Sequence, residues 1–280
     1  MTEALELKET EFLEIASYIE THYGINLEEK RMLMKNRLLN MISKSEHQSF
    51  GDFFKAACQD SSGKLMMQII ERLTTNHTFF NREIDHFNLL KEALLPQVLS
   101  DFSSSKEKEI RIWSAGCSSG EEPYTLAILM TEFLKQYPEW RFDILATDIS
   151  TQVLEKAKEG IYPTEALSTQ FTQYELSRYF IQNSSELMQI RDTIKNRILF
   201  KHLNLARSEF PFKQPFHIIF CRNVMIYFKD EFKLRLVNKF YNHTAKQGYL
   251  FIGHSETLPR HLNPYSFLYP TVFINNGGLA

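Results

Sequence analysis

Apolar residues at Phe12, Ile15, Ala16 and Ile19 return every three or four positions and stop at Gly24, which predicts an amphipathic helix closed by glycine. A second run with helical spacing spans Leu27 to Ile42, and "SFGDFFKAAC" and "KLMMQIIERL" predict two shorter helices. No strand-like alternation precedes Asn76. After a further helix over about Phe87 to Leu99 and the polar break "SDFSSSKEKE", the rhythm changes. "EIRIWSA", "FDILATD", "FHIIFCR" and "GYLFIGH" are short β-prone runs, separated by helical patterns at Tyr124 to Leu134, Val153 to Glu159 and Phe232 to Tyr241. Strand alternating with helix predicts an α/β fold, a doubly wound, mostly parallel sheet with ligands beyond the carboxyl ends of its strands. In "LMQIRDTIKNRILFKHL" two β-prone runs flank Arg191 to Asn196, so this region reads as a short helix and a small antiparallel hairpin inserted in the main sheet. The resulting organisation is an all-helical domain over 1–75, a linker with a joining helix over 76–109, and a main domain over 110–280 with the β subdomain at about 174–203.

The totals narrow the function classes. A chain of 280 residues with 43% hydrophobic and 24% charged residues is ordinary globular composition. A formal net charge of -2 gives no global attraction to nucleic acid or to an anionic bilayer. The three cysteines, Cys58, Cys117 and Cys221, are odd in number and far apart, which fits neither a disulfide framework nor a zinc site; no metal is expected, and a reduced, cytoplasmic setting is. Neither a charged-then-apolar leader nor an apolar run long enough for membrane insertion is found.

The chemistry gathers where strands end. "RIWSAGCSSGEEPYTLAILM" runs from a β-prone stretch through a loop of small residues into a helix whose first turn carries Glu121 and Glu122. Helix starts favour anions, so two extra carboxylates disfavour a phosphate there. Neither the P-loop pattern nor GxGxxG occurs. Asp148, closing "ILATD", stands where an acid accepts hydrogen bonds from ribose hydroxyls. A nucleoside carrying positive charge fits both features, and S-adenosylmethionine, with a sulfonium and an ammonium group and no phosphate, is such a ligand. Each acid also has a plainer account: Glu121 and Glu122 as helix-dipole partners, Asp148 as a cap of the following helix. A third strand end, "IIFCRNVMIYF", places Arg222 and Asn223 on the same side of the sheet, with Tyr227 further on. Asn204 and the segment "TTNHTFFNRE", with Asn76, Thr78 and Arg82, read from composition alone as helix caps.

Taken in order, "TNHTFFNRE", "RIWSAGCSSGEEPYTLA", "ATDIS", "FCRNVMIYF" and "GYLFIGHSETL" resemble the successive motifs of the chemotaxis receptor glutamate methyltransferases, the CheR family. The resemblance covers roughly Leu73 to Leu258. It implies transfer of methyl from S-adenosylmethionine to receptor glutamates, with S-adenosylhomocysteine as product. By the resemblance, Asn76, Thr78 and Arg82 reach over the cofactor, Glu122 takes its ammonium end and Asp148 its ribose. Asn204, Leu205, Arg222 and Asn223 complete that pocket, and Arg82 and Tyr227 line the place of transfer. The expected partners are acidic helical bundles of receptors; Lys30, Arg31, Lys35 and Arg37, on a helix with Leu33, Leu38 and Met41 facing inward, form a candidate docking face.

Some relatives hold a receptor-tail pentapeptide on the inserted hairpin and carry a glycine-rich turn there. The turn "IQNSSELMQ" has no glycine, so independence of that tether is expected. Cys117 in the loop and Asn81 before Arg82 are smaller departures. Two other readings are a methyltransferase for nucleic acid or a small molecule, and a non-catalytic adaptor that binds the cofactor. "CRNVM" in place of an NPPY-like strand end and the missing basic excess weigh against the first, Arg82 and Tyr227 against the second.

Overall fold

A computed structural model describes residues 5–74, 76–258 and 264–277; residue 75, where the helical domain was expected to end, lies outside them. The chain divides into two compact units. One comprises residues 1–76 with the short segments Asn204–Arg207 and Tyr227–Phe232, the other His77–Leu203, Ser208–Ile226 and Lys233–Ala280.

In the first unit, α1 (Glu9–Tyr23) buries the four residues that predicted it. The Lys8 N–H donates to the Glu11 carboxylate, 3.0 Å, and Gly24 at φ 76° closes the helix. A Cβ on Gly24 would lie 2.6 Å from the Phe232 ring, so glycine is required by space as well as by φ. α2 (Arg31–Ile42) begins later than the apolar pattern suggested and turns Met34, Leu38 and Ile42 inward; Leu33 and Met41 are only half-buried. α3 (Phe50–Gln59) starts at Ser49, whose hydroxyl accepts the Asp52 N–H. α4 (Lys64–Leu73) ends on Arg37, whose Nη1 donates to the carbonyls of Leu73 at 2.9 Å and of Arg72 and Thr74 at 3.3 Å.

The second unit opens with α5 (Ile84–Leu89) and α6 (Leu95–Asp101), joined by a π turn over Leu90–Leu94. Pro96, inside the predicted helix, lacks the N–H that a regular turn needs, and the wider turn precedes it. β1 (Glu109–Ala115), α7 (Glu121–Phe133), β2 (Arg141–Asp148) and α8 (Thr151–Glu159) follow the predicted alternation. Then come β3 (Ile161–Pro163), α9 (Thr164–Ser168), α10 (Gln173–Tyr179), β4 (Phe180–Gln182), β5 (Leu187–Ile190), α11 (Asp192–Lys195) and β6 (Ile198–His202). The chain finishes with β7 (Phe216–Cys221), α12 (Asp230–Asn242), β8 (Thr244–Ile252), β9 (Ser266–Tyr269) and β10 (Val272–Ile274).

The seven-stranded sheet has the order β6-β2-β1-β7-β8-β10-β9, parallel from β6 to β8, with an antiparallel edge. The second sheet, β3-β5-β4, is wholly antiparallel. The two β-prone runs around Arg191 to Asn196 therefore do not form one hairpin. The first, β5, pairs with β4 and β3; the second, β6, joins the main sheet beside β2, because α11 between them turns the chain away. Among the described residues no helix is long and apolar enough to cross a membrane.

Candidate functional site

Four strand ends of the second unit, those of β1, β2, β7 and β8, carry the candidate chemistry. The turn after β1 is held from below: the Thr147 carbonyl accepts the N–H groups of Gly116 at 2.7 Å and Cys117 at 2.9 Å. Trp113 fixes Thr147 in turn, its indole N–H donating to the hydroxyl at 2.9 Å. Gly116 sits at φ +85°, and a Cβ there would lie 2.4 Å from Cγ2 of Val224, in the turn after β7. Asp148 stitches this loop to the start of α8, Oδ2 accepting from the Ser118 N–H and Oδ1 from the Ser150 N–H, both at 2.9 Å. Burial pushes the Asp148 carboxyl up, and the N–H groups of Ser150, Ser118 and Ile149 work against that.

Glu122 projects from the first turn of α7. Its Oε1 accepts the Ser114 hydroxyl at 2.7 Å and its Oε2 accepts Nη1 of Arg222 at 3.3 Å. Burial raises the carboxyl more than Arg222 and Ser114 lower it. Arg222 is the centre of the cluster, with its side chain 2% exposed and its guanidinium 5.2 Å from the centroid of the Phe87 ring. Its Nε and Nη2 donate to Oε2 of Glu83 at 3.2 and 3.1 Å, and Nη2 also donates to the Arg82 carbonyl. Oε1 of Glu83 accepts from Nδ2 of Asn223 and from the His254 N–H, both at 3.2 Å. Burial would lift the Glu83 carboxyl, but Arg222, Asn223 and His254 outweigh it and hold it below the ordinary range.

The turn after β7 hangs on a second buried acid. Glu256 accepts the N–H groups of Asn223 at 2.9 Å, Met225 at 2.7 Å, Ile226 at 3.2 Å and Gly253 at 2.6 Å. Of the six described non-glycine residues with positive φ, Asn81, Glu83, Ser118 and Asn223 all belong to these segments. Such conformations cost of order 1–3 kcal/mol each and cluster where a fold is built around a ligand.

The donor set fits S-adenosylmethionine. Glu83 and Glu122 both pair with Arg222, which leaves an excess carboxylate among these three side chains; Arg82 adds a further positive charge toward Glu122, yet burial still lifts the Glu122 carboxyl, so it is a group that a cationic ligand would stabilise. A phosphate would meet that same excess charge. Glu83, His86 and His254 also bring three potential metal-ligand atoms within 4.8 Å of one another. Both Glu83 oxygens already accept two hydrogen bonds, two of them from a guanidinium, which opposes a second cation. We assign no metal to this cluster.

The expected site residues separate into two groups. Glu122, Asn223 and the Arg82 carbonyl meet in one hydrogen-bonded cluster around Arg222 and Glu83, with Asp148 on the neighbouring loop and Thr78 in the joining segment, half-buried. The Arg82 side chain donates to the His77 carbonyl at 2.8 Å and lies 5.9 Å from the Phe79 ring centroid. Asn76, Asn204, Leu205 and Tyr227 fall in the first unit. There Nδ2 of Asn204 donates to the His22 carbonyl at 2.8 Å, the Tyr227 carbonyl accepts the Asn26 N–H at 2.7 Å, and Leu205 is buried. Sequence reasoning missed Glu83 and Glu256. Both stand inside quoted motifs, "TNHTFFNRE" and "GYLFIGHSETL", and an acid next to an expected arginine or just past a strand end was the available signal.

On the candidate docking face, Arg31 pairs with Glu9 at 3.0 Å and also donates to the Leu7 carbonyl, and Arg37 caps α4. Lys35 lies 3.9 Å from Glu6, and Lys30 is the residue before α2 begins. The two arginines thus have structural partners within their own unit.

Residues 76–274 match the family model described as CheR methyltransferase, SAM binding domain, and residues 10–74 match CheR methyltransferase, all-alpha domain. A chemotaxis protein methyltransferase of Borreliella burgdorferi is 36% identical over 274 residues, covering 97% of this chain and 96% of that one. Chemotaxis protein methyltransferase 2 of Vibrio cholerae is 35% identical, covering 91% and 88%. The chemotaxis protein methyltransferase of Escherichia coli is 36% identical, covering 91% and 87%.

Proposed function

Because the chain belongs to the CheR methyltransferase family, we propose that it methylates glutamate side chains of chemotaxis receptors, forming methyl esters. The observation that carries this reading is the buried Glu122, which Arg222 only partly neutralises, beside a loop that has no room for a Cβ at Gly116. When bound, S-adenosylmethionine supplies an electrophilic methyl group on a sulfonium. Glu122 receives the ammonium end and Asp148 the ribose hydroxyls. Arg82 orients the acceptor carboxylate. Thr78, Asn223 and Arg222 complete the pocket within the second unit.

A glutamate with a pKa near 4.3 is ionised at neutral pH, so the acceptor needs no general base. The protein's contribution is then positioning, an effect worth roughly 7–11 kcal/mol where two reactants are held in line. Transfer of radiolabelled methyl to receptor-containing membranes, followed by release of the label in alkali, tests the ester. Label stable to alkali would refute glutamate O-methylation. Arg82→Ala is expected to retain the fold and lower turnover at least a hundredfold, the usual scale of a lost positioning group.

The glycine-free turn between β4 and β5 supports an enzyme that works without a receptor-tail tether. Calorimetry with the receptor-tail pentapeptide should show no heat of binding. Lys30 and Lys35 carry the electrostatic part of receptor docking, since Arg31 and Arg37 are engaged with backbone carbonyls of their own unit, whereas Lys35 faces the exposed Glu6 at 3.9 Å. Charge reversal at the two lysines is expected to weaken methylation severalfold at low salt and little at high salt, as screening at an exposed surface requires.

A further inference from the structure

Arg222 stands between two carboxylates and does not treat them equally. Glu83 accepts two of its hydrogen bonds, at 3.1 and 3.2 Å, and Glu122 accepts one, at 3.3 Å. Glu83 is itself held on its other oxygen by Asn223 and by the His254 N–H, and its backbone sits at φ 54°, a conformation that other contacts must sustain. The arrangement draws the guanidinium toward the joining segment and away from the first turn of α7.

We infer that Glu83 is a positioning residue for cofactor binding: it engages Arg222 so that Glu122 keeps enough unneutralised charge to take the cofactor's ammonium group. The inference rests on the reading of Glu122 given above. With Glu83 present the three side chains sum to one negative charge. Without its charge they sum to zero, and Arg222 is released to pair with Glu122 through two nitrogens, the geometry guanidinium favours. The same carboxylate also steadies the segment that carries Arg82, because Nη2 of Arg222 donates to the Arg82 carbonyl as well as to Glu83.

The test is calorimetric titration of the full chain with S-adenosylmethionine. Glu83→Gln should raise Kd on the order of tenfold, as removal of one nearby charge in a partly screened site does. In an Arg222→Gln background the same change should alter Kd less than about twofold, since no guanidinium remains to be handed to Glu122. Glu83→Asp keeps the charge in a residue type that tolerates positive φ, and should bind closer to wild type than Glu83→Gln does. Thermal melts confirm that each variant folds. If Arg222→Gln fails to fold, the ranking of the two Glu83 variants decides. An unchanged Kd in Glu83→Gln, equal weakening in both backgrounds, or Glu83→Asp as weak as Glu83→Gln would each overturn the inference. A wild-type chain that binds cofactor yet transfers no methyl to receptor glutamates would instead strike the proposed function alone.

Discussion

The turns after β1 and after β7 solve one problem by different means. Each must reverse direction tightly at the end of a central parallel strand. The first relies mainly on glycine: Gly116 at φ +85° and Gly120 at φ +98° bend the chain without a side chain to accommodate, and Ser118 between them, at φ 49°, is held through its N–H by Asp148. The second has no glycine between Arg222 and Ile226. It forces Asn223 to φ 59° and sustains it with the Glu256 carboxylate, which accepts three N–H groups of that turn. A turn shaped by glycine is written where it occurs, whereas one shaped by a buried acid depends on a residue 33 positions away. The two also share a contact, since the space a Gly116 side chain would need is filled by Val224.

Four measurements would break or sharpen that contrast. Gly116→Ala should have the largest effect, about 3 kcal/mol of lost stability from an unfavourable φ with a clash added, together with loss of cofactor binding in calorimetry. Glu256→Gln should cost about 2 kcal/mol in denaturant unfolding, because the amide turns a donor toward N–H groups that need an acceptor. Asn223→Gly relaxes the backbone but removes the hydrogen bond to Glu83, for an expected net loss of about 1 kcal/mol. If Asn223→Gly proves stabilising, the second turn is strained without compensation and the contrast fails.

The smallest effect appears only in acid. Burial, with Arg222 nearby, depresses His86 to about 4, so the folded protein keeps it neutral where the unfolded chain binds a proton. Stability contributed this way is present above pH 6.5 and falls as pH drops from there toward 4. His86→Gln should therefore reduce the loss of stability between pH 7.5 and pH 5, as read from melting midpoints. His217, likewise depressed to about 4 by burial and Arg111, would retain its part of that loss.

Much of this was legible in the sequence, for definite reasons. The parallel strands are short apolar runs between amphipathic helices, and each positions its neighbour: β1 pairs with β2 and β7 in the register that brings Ala115, Asp148 and Arg222 to one end of the sheet. What escaped depends on tertiary pairing. β6 looks like the second strand of a hairpin because it is another short apolar run a few residues after β5; that it pairs with β2 in the main sheet is a long-range choice that the local sequence does not carry. β9 and β10 are four and three residues long, too brief for alternation to stand out. The docking face rests on charge and helical spacing, and neither reveals that Arg37 is occupied with the carbonyls at the end of α4. Likewise nothing local in "NREIDHF" shows that Glu83 would be the acid to which Arg222 turns.

The anchoring of the cofactor loop through Trp113 has a practical consequence. The chain has two tryptophans, Trp113 and Trp140, both buried in the second unit, and the helical first unit has none. Intrinsic indole emission will therefore follow the melting of the sheet unit alone, while far-ultraviolet circular dichroism registers both. Any separation between the two curves measures how independently the helical unit unfolds.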